Sequence, residues 1–366
     1  MEVTSKSLPQ RLVSLDAFRG AVMALMVLVN TPGDGHNTYA PLKHAQWDGW
    51  TITDCVFPSF VWIVGMAITL SLGKRMAAGA DKMQLMLGVS KRAAVIYALG
   101  LFVYLFPQFD FAHMRVLGVL QRIAICYLIA SAIYLTTRLR GQLLWIFGLL
   151  GSYWLIMKFA PVPEYGAGYL DVQRNFAHYI DRIVLGAHNY HSTKTWDPEG
   201  IVSTLPAIAT ALFGILAGEI VALREEVSKR ANWLFFAGLL LIAAGLFCDQ
   251  WLPINKKLWT SSFALFMAGL DFTVFSCFLL VADGWGYKRF FQPLVIMGMN
   301  AISVYMASEL LDTVLSEMKI RQWFYADVFL KVASPVNASL MFAVSYVLLM
   351  FAIAYVMYRQ RWFLRA

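Results

Sequence analysis

The feature that most restricts how this 366-residue chain can fold is a succession of about ten apolar segments, each near the ~20 residues a helix needs to cross a bilayer. They fall at roughly 15–30, 54–73, 93–107, 116–136, 143–160, 201–223, 232–250, 259–282, 291–314 and 338–358. Backbone polar groups must pair internally in lipid, so segments of this length are expected as helices. Composition agrees: 59% of residues are hydrophobic and 14% charged, against roughly 25% charged in a water-soluble domain. The expected fold is an all-α integral membrane protein with about ten transmembrane helices, forming one domain over residues 1–366. The first apolar run reads as an uncleaved helix rather than a signal peptide, because it ends in Asn-Thr-Pro-Gly with no small-residue cleavage pattern.

Charge orients the spans. With the N-terminus inside, the inner segments hold about 17 of the 30 Lys and Arg residues, and the outer segments about 10. Lys6 and Arg11 contribute, as do Lys74-Arg75, Lys91-Arg92, Lys229-Arg230 and Lys288-Arg289. Both termini are therefore expected in the cytoplasm. The formal charge of +8 is a topology signal and does not suggest nucleic acid. The longest outer loop, about 160–200, is too long for a plain connector and is expected to be a lid or binding loop.

Ionisable side chains at membrane depth are costly and mark function by default. The densest group lies between Ser14 and Phe60, in SLDAFRGAVMALMVLVN, a polar loop, and HAQWDGWTITDCVFPSF. Asp16 and Arg19 share one face of the first turns and read as an interfacial pair. Asn30 closes the first span, either as a helix cap or as an amide donor to a developing oxyanion. His44 precedes Asp54 by ten residues, so the two meet only if the loop folds back onto the second span. A carboxylate on one imidazole nitrogen would orient the ring and leave the other nitrogen to take a proton. An exposed loop histidine is the plain alternative.

Arg122, within the fourth span, cannot stay unpaired in lipid, and Asp54, Asp271 and Glu309 are candidate partners. Asp197 and Glu199 stand at the mouth of the sixth span. Gly214 and Gly218 form a small-xxx-small face that reads as helix packing, within one subunit or between two. Asn255, Lys256, Lys257 and Trp259 lie at the outer end of the eighth span. Lysines there oppose the charge bias and suggest a ligand, whereas Trp259 alone reads as an interfacial anchor. Asn300 is expected in mid-helix, with Glu309 about two and a half turns further out. Cys55, Cys126, Cys248 and Cys277 all lie in apolar segments, at spacings that match neither a metal site nor a disulfide framework. No Walker loop, GxSxG elbow, HExxH or dinucleotide fingerprint in a βαβ context occurs.

SLDAFRG, the Asn30 exit, KHAQWDGWTITDCVFPSF, GVLQRIAICY, DPEGIVSTLPAI, INKKLWT and GMNAISVY follow one another as they do in the heparan-α-glucosaminide N-acetyltransferase family, which the chain resembles over nearly its whole length. It looks like a bacterial member of the cytoplasmic membrane, without the long luminal N-terminal domain of the lysosomal enzymes. The resemblance implies transfer of acetyl from cytosolic acetyl-CoA, the donor substrate, to an amino sugar across the membrane, with no metal. It implies His44 as the catalytic residue and Asn30 as the active-site asparagine; Asp54, read above as the carboxylate that would orient His44, is the third catalytic candidate. Arg19, Arg92, Arg122 and Asn300 are then the acetyl-CoA candidates. Asp197, Glu199, Asn255, Lys256, Trp259 and Glu309 are the acceptor-side candidates. The loop carrying Gly33-Asp34-Gly35-His36 is slightly longer than the family pattern and bears on acceptor preference. A homodimer, as among relatives, is an expectation. Rival readings are O-acetylation of a surface glycan and a sugar permease.

Overall fold

The structure, a computed structural model, describes residues 12–363. Lys6, Arg11 and Arg365, part of the expected inner charge, lie outside the described residues. Among the described residues nine helices are long and apolar enough to cross a membrane. They are α1 (Val13–Asn30), α2 (Ile52–Ala77), α3 (Lys82–Leu105), α4 (Val119–Thr136), α5 (Leu139–Phe159), α7 (Thr204–Ala222), α8 (Val227–Cys248), α9 (Ser261–Gly284) and α12 (Pro335–Arg359). A short helix, α6 (Phe176–Leu185), lies in the long loop between α5 and α7. Two further apolar helices, α10 (Gln292–Met299) and α11 (Ala301–Glu317), meet at a bend of 77° and together have the length and composition of one more span.

Two expectations about the spans themselves need correction. The third span, expected over 93–107, begins at Lys82. Asp81 caps it, accepting from the Gln84 N–H at 2.9 Å, and Leu85, Val89, Ala93, Ile96 and Gly100 form a buried stripe at helical spacing. Asn300 is not in mid-helix. Its backbone leaves the helical region at φ −120°, ψ 34°, and it separates α10 from α11. The break frees a carbonyl at the end of α10, and Arg19 Nη1 reaches it, 3.4 Å from Gly298 O. Asp16 holds the same guanidinium at 3.1 Å, the pair expected from their spacing.

Without a hydrophobic drive between helices in lipid, close packing does the work. It is tightest where α2 crosses α7 and where α1 crosses α10, at glycines on both partners. Gly214 and Gly218 pack against Trp62, Met66 and Thr69 of α2 in the same chain, so this small-residue face works within the subunit.

Candidate active site

α2 begins with a capping box: the Thr51 N–H donates to Asp54 Oδ2 at 3.0 Å, closing the first turn. The cap fixes Asp54 where it can serve a second purpose. Its other oxygen, Oδ1, lies 2.7 Å from His44 Nδ1, while Oδ2 also accepts from the Ala45 N–H at 3.0 Å; the Thr51 hydroxyl gives its one proton to Lys43 O at 2.6 Å. The loop thus folds back onto α2, and the two residues meet. The Asp54 side chain is 1% exposed and that of His44 48% exposed. A carboxylate with this many donors, at a helix N-terminus, is well stabilised as an anion. It therefore favours the tautomer with the proton on His44 Nδ1, which leaves Nε2 with a lone pair.

The loop is held from the other side as well. Gly49 N–H donates to Ile254 O at 2.7 Å, and Asn255 Nδ2 donates to Asp48 Oδ1 at 3.1 Å. Asn255 Oδ1 accepts from the Leu258 N–H. Asn255 is fully buried and acts as a clasp between two loops. Trp259, expected as an interfacial anchor, is instead completely buried, with Nε1 3.2 Å from Thr210 Oγ1 and its ring edge-on to Phe57.

Arg122 finds none of the acids proposed as partners. Its guanidinium donates to Gly200 O at 2.8 Å and Ser203 Oγ at 2.5 Å, and it lies over the Trp259 ring at 5.1 Å. The irregular DPEG turn leaves carbonyls free of helical bonds, and these replace the missing carboxylate. The side chain therefore holds the mouth of α7 in place. Asp197 and Glu199 are likewise committed. Arg115 binds Asp197 through Nε at 2.8 Å and Nη2 at 2.5 Å, binds Glu199 through Nη2, and lies between the rings of Tyr104 and Tyr190. Burial alone would raise Glu199, but Arg115, Lys256 and Arg122 outweigh it and hold the carboxyl below its ordinary value. Arg115 was not singled out from sequence. A lone basic residue between two spans, facing a loop with two acids, was the available signal.

Asn30 is the last residue of α1 but not its cap. That role falls to Thr31, its N–H and Oγ1 both donating to Val27 O at 3.2 and 2.6 Å. The Asn30 side chain lies beside Glu309 of α11. Glu309 in turn lies within electrostatic reach of Arg115 and Tyr104, and Lys256 within reach of both Glu199 and Asp54. The His44 clasp, the Arg115 cluster and Asn30 with Glu309 thus gather at the same end of the bundle.

Beneath Asn30 and Glu309, one turn down each helix, Met26 and Tyr305 line a cavity of about 240 Å³ between α1, α2, α3, α4 and the α10–α11 break. Its walls are mainly apolar. Arg19 and Arg92 line it in the far halves of α1 and α3, where Arg92 lies 5.6 Å from the Tyr127 ring. Asn300 sits at the break beside this cavity, buried, with neither amide atom bonded.

The long loop is docked onto the bundle. Trp47 Nε1 donates to Leu170 O at 3.2 Å, and His178 stacks on Trp196 at 4.1 Å. Burial pushes His178 down to about 4 and Asp181 up to about 6. Between about 4 and 6.5 the unfolded loop protonates its histidine and the folded loop does not, so that contribution rises with pH. Asp181 has the opposite sign between about 4 and 6, because there the folded state holds the extra proton. The two slopes offset in the wild type. In Asp181→Asn the histidine slope is exposed. As pH drops from about 6.5 to 4, thermal stability in detergent should fall by up to ~3 kcal/mol more in the variant than in the wild type. Equal pH profiles for the two proteins would contradict this.

A sequence model of the family described as heparan-alpha-glucosaminide N-acetyltransferase, catalytic, matches residues 11–240. The chain is similar to the human protein named heparan-alpha-glucosaminide N-acetyltransferase, at 29% identity over 364 residues, covering 84% of this chain and 54% of the human one. It is similar to the mouse protein of the same name at 29% identity over 366 residues, covering 84% and 55%. The chain spans about half the length of these curated relatives.

Proposed function

Because the chain belongs to the heparan-alpha-glucosaminide N-acetyltransferase family, we propose that it is a transmembrane acetyltransferase that moves acetyl from cytosolic acetyl-CoA to an amino sugar of the glucosamine type on the opposite side. The observation that carries this reading is the half-exposed His44 held by a buried, cap-anchored Asp54. In this reading both termini are cytoplasmic, the membrane is a bacterial cytoplasmic membrane, and the His44 end faces outward.

Acetyl-CoA is the donor substrate. Its nucleotide is polyanionic and stays out of the hydrocarbon, toward the basic far end of the bundle. The cavity wall carries Arg19 and Arg92 there and is apolar beyond them, which suits the pantetheine arm. His44 Nε2 takes the proton of the acceptor amine as its nitrogen attacks the thioester carbon. Asp54 stabilises the imidazolium that forms. Asn30 donates to the oxyanion, an effect worth ~3–4 kcal/mol in comparable sites. When the carbon–sulfur bond breaks, the proton on His44 can pass to the departing thiolate. Lys256, which lies among Glu199 and Asp54, remains an acceptor-side candidate. Asp197, Glu199, Asn255 and Trp259 serve that side indirectly, by holding its walls.

The test is made in proteoliposomes, with acetyl-CoA on one side and glucosamine on the other. N-acetylated sugar should appear on the glucosamine side, and sugars bearing only hydroxyls should not replace glucosamine. Acetylation of hydroxyl-only acceptors alone would favour the O-acetyltransferase reading. One observation favours a permease: the broken crossing at Asn300, since discontinuous helices often line transport sites. Sugar uptake without acetyl-CoA would support that reading instead.

A further inference from the structure

Asp271 lies ten residues beyond Ser261, the first residue of α9, or about 15 Å along the helix axis. That is near the middle of a hydrocarbon core ~30 Å thick. It is buried, and among the described residues no Lys, Arg or His lies within its electrostatic reach. Cys55 on α2 is its titratable neighbour. None of the groups in the acetyl-transfer reading uses it.

Its hydrogen bonds can be counted. Asp271 Oδ1 lies 2.5 Å from Ser59 Oγ, and that same Oγ lies 2.8 Å from Cys55 O. A serine hydroxyl has one proton, and a carbonyl oxygen can only accept. If Ser59 donates to Cys55, its contact with Asp271 is a hydrogen bond only when Asp271 carries the proton. If Ser59 instead donates to an ionised Asp271, the contact with Cys55 sets lone pair against lone pair. Oδ2 is then left buried and unpartnered, with negative charge at the centre of the bilayer and no cation nearby. Trp62 Nε1, on the next turn of α2, is also buried without a partner and makes no bond to it.

We infer that Asp271 is a proton-binding site in the bilayer interior, a neutral acid at neutral pH. It donates to Ser59, which donates on to Cys55 O, so one proton links α9 to α2. The relay ends at the residue after Asp54, which holds His44. The neutral acid therefore joins the seam beneath the catalytic clasp while keeping a second negative charge away from it. This inference does not depend on the acetyl-transfer reading, because it concerns a protonation state in the resting protein.

Infrared difference spectroscopy of the intact protein in lipid nanodiscs at neutral pH tests it. Wild type minus Asp271→Asn should show loss of a protonated-acid carbonyl band with no loss of carboxylate intensity. In Ser59→Ala, which retains Asp271, the same band should persist and shift, because its hydrogen-bond acceptor is gone. Loss of carboxylate intensity in Asp271→Asn would overturn the inference. So would a Ser59→Ala spectrum identical to wild type in the protonated-acid region. If the asparagine variant does not fold, the serine variant decides the question alone.

Discussion

Replacing His44 with alanine should abolish acetyl transfer while acetyl-CoA still binds. A positioned general base contributes ~10²–10⁴-fold, so turnover of labelled acetyl onto glucosamine should fall by about three orders of magnitude. The side chain is at the loop surface and absent from the cavity wall, so the affinity for CoA measured by calorimetry should change less than about twofold. Asp54→Asn separates geometry from charge. The asparagine oxygen can occupy the position of Oδ2 and keep the helix cap, which is worth ~1 kcal/mol. Its NH₂ then faces His44 Nδ1 at the position where Oδ1 now accepts. That forces the proton onto Nε2 and removes the base. A comparable substitution in a serine-protease triad costs about 10⁴-fold, and a loss of similar order is expected. Wild-type turnover in either variant would remove the clasp from the mechanism.

The crossings were legible because a bilayer demands long apolar runs, and a run of that length has few alternatives to helix. What hydropathy cannot see is where a helix outruns the membrane or breaks inside it. Residues 82–92 are polar enough to hide the start of α3, although their buried stripe is helical. GMNAISVY is apolar on both sides of Asn300, so nothing in its composition marks a 77° bend. At the site, the need of His44 for a folded-back loop was legible, and the loop does fold back. Arg122 was correctly expected to need partners at depth. Its partners are backbone carbonyls, which every residue carries and no motif announces. The pairing of Arg115 with Asp197 and Glu199 joins positions 82 and 84 residues apart. That separation is set by how α4 packs against α7, and a single chain without structure does not state it.

The helix seams give the second large effect. A Cβ on Gly65 would stand 1.8 Å from Ala211 O, and one on Gly214 would stand 1.9 Å from Trp62 O. The corresponding values on the other seam are 1.8 Å between Gly20 and Leu294 O, and 1.9 Å between Gly298 and Asp16 O. These neighbours are backbone atoms inside helices and cannot rotate aside. To admit a side chain the helices must separate by more than an ångström, and the close contacts that hold them in lipid are lost along the whole crossing. Gly65→Leu and Gly214→Leu should each destabilise the bundle by ~3 kcal/mol, the upper end of the usual cost of overpacking. The loss would be read as reduced monodisperse protein after graded heating in detergent. Gly148→Leu on α5 is the control, because a Cβ there meets nothing within 4 Å and stability should be unchanged. The α2–α7 seam also bears on the active site, since Gly65 lies on the helix whose first turn holds Asp54. Acetyl transfer in Gly65→Leu should therefore fall at temperatures where the protein is still soluble. A leucine at Gly65 or Gly214 that leaves thermal stability at the level of the α5 control would show that the two helices do not cross at these glycines.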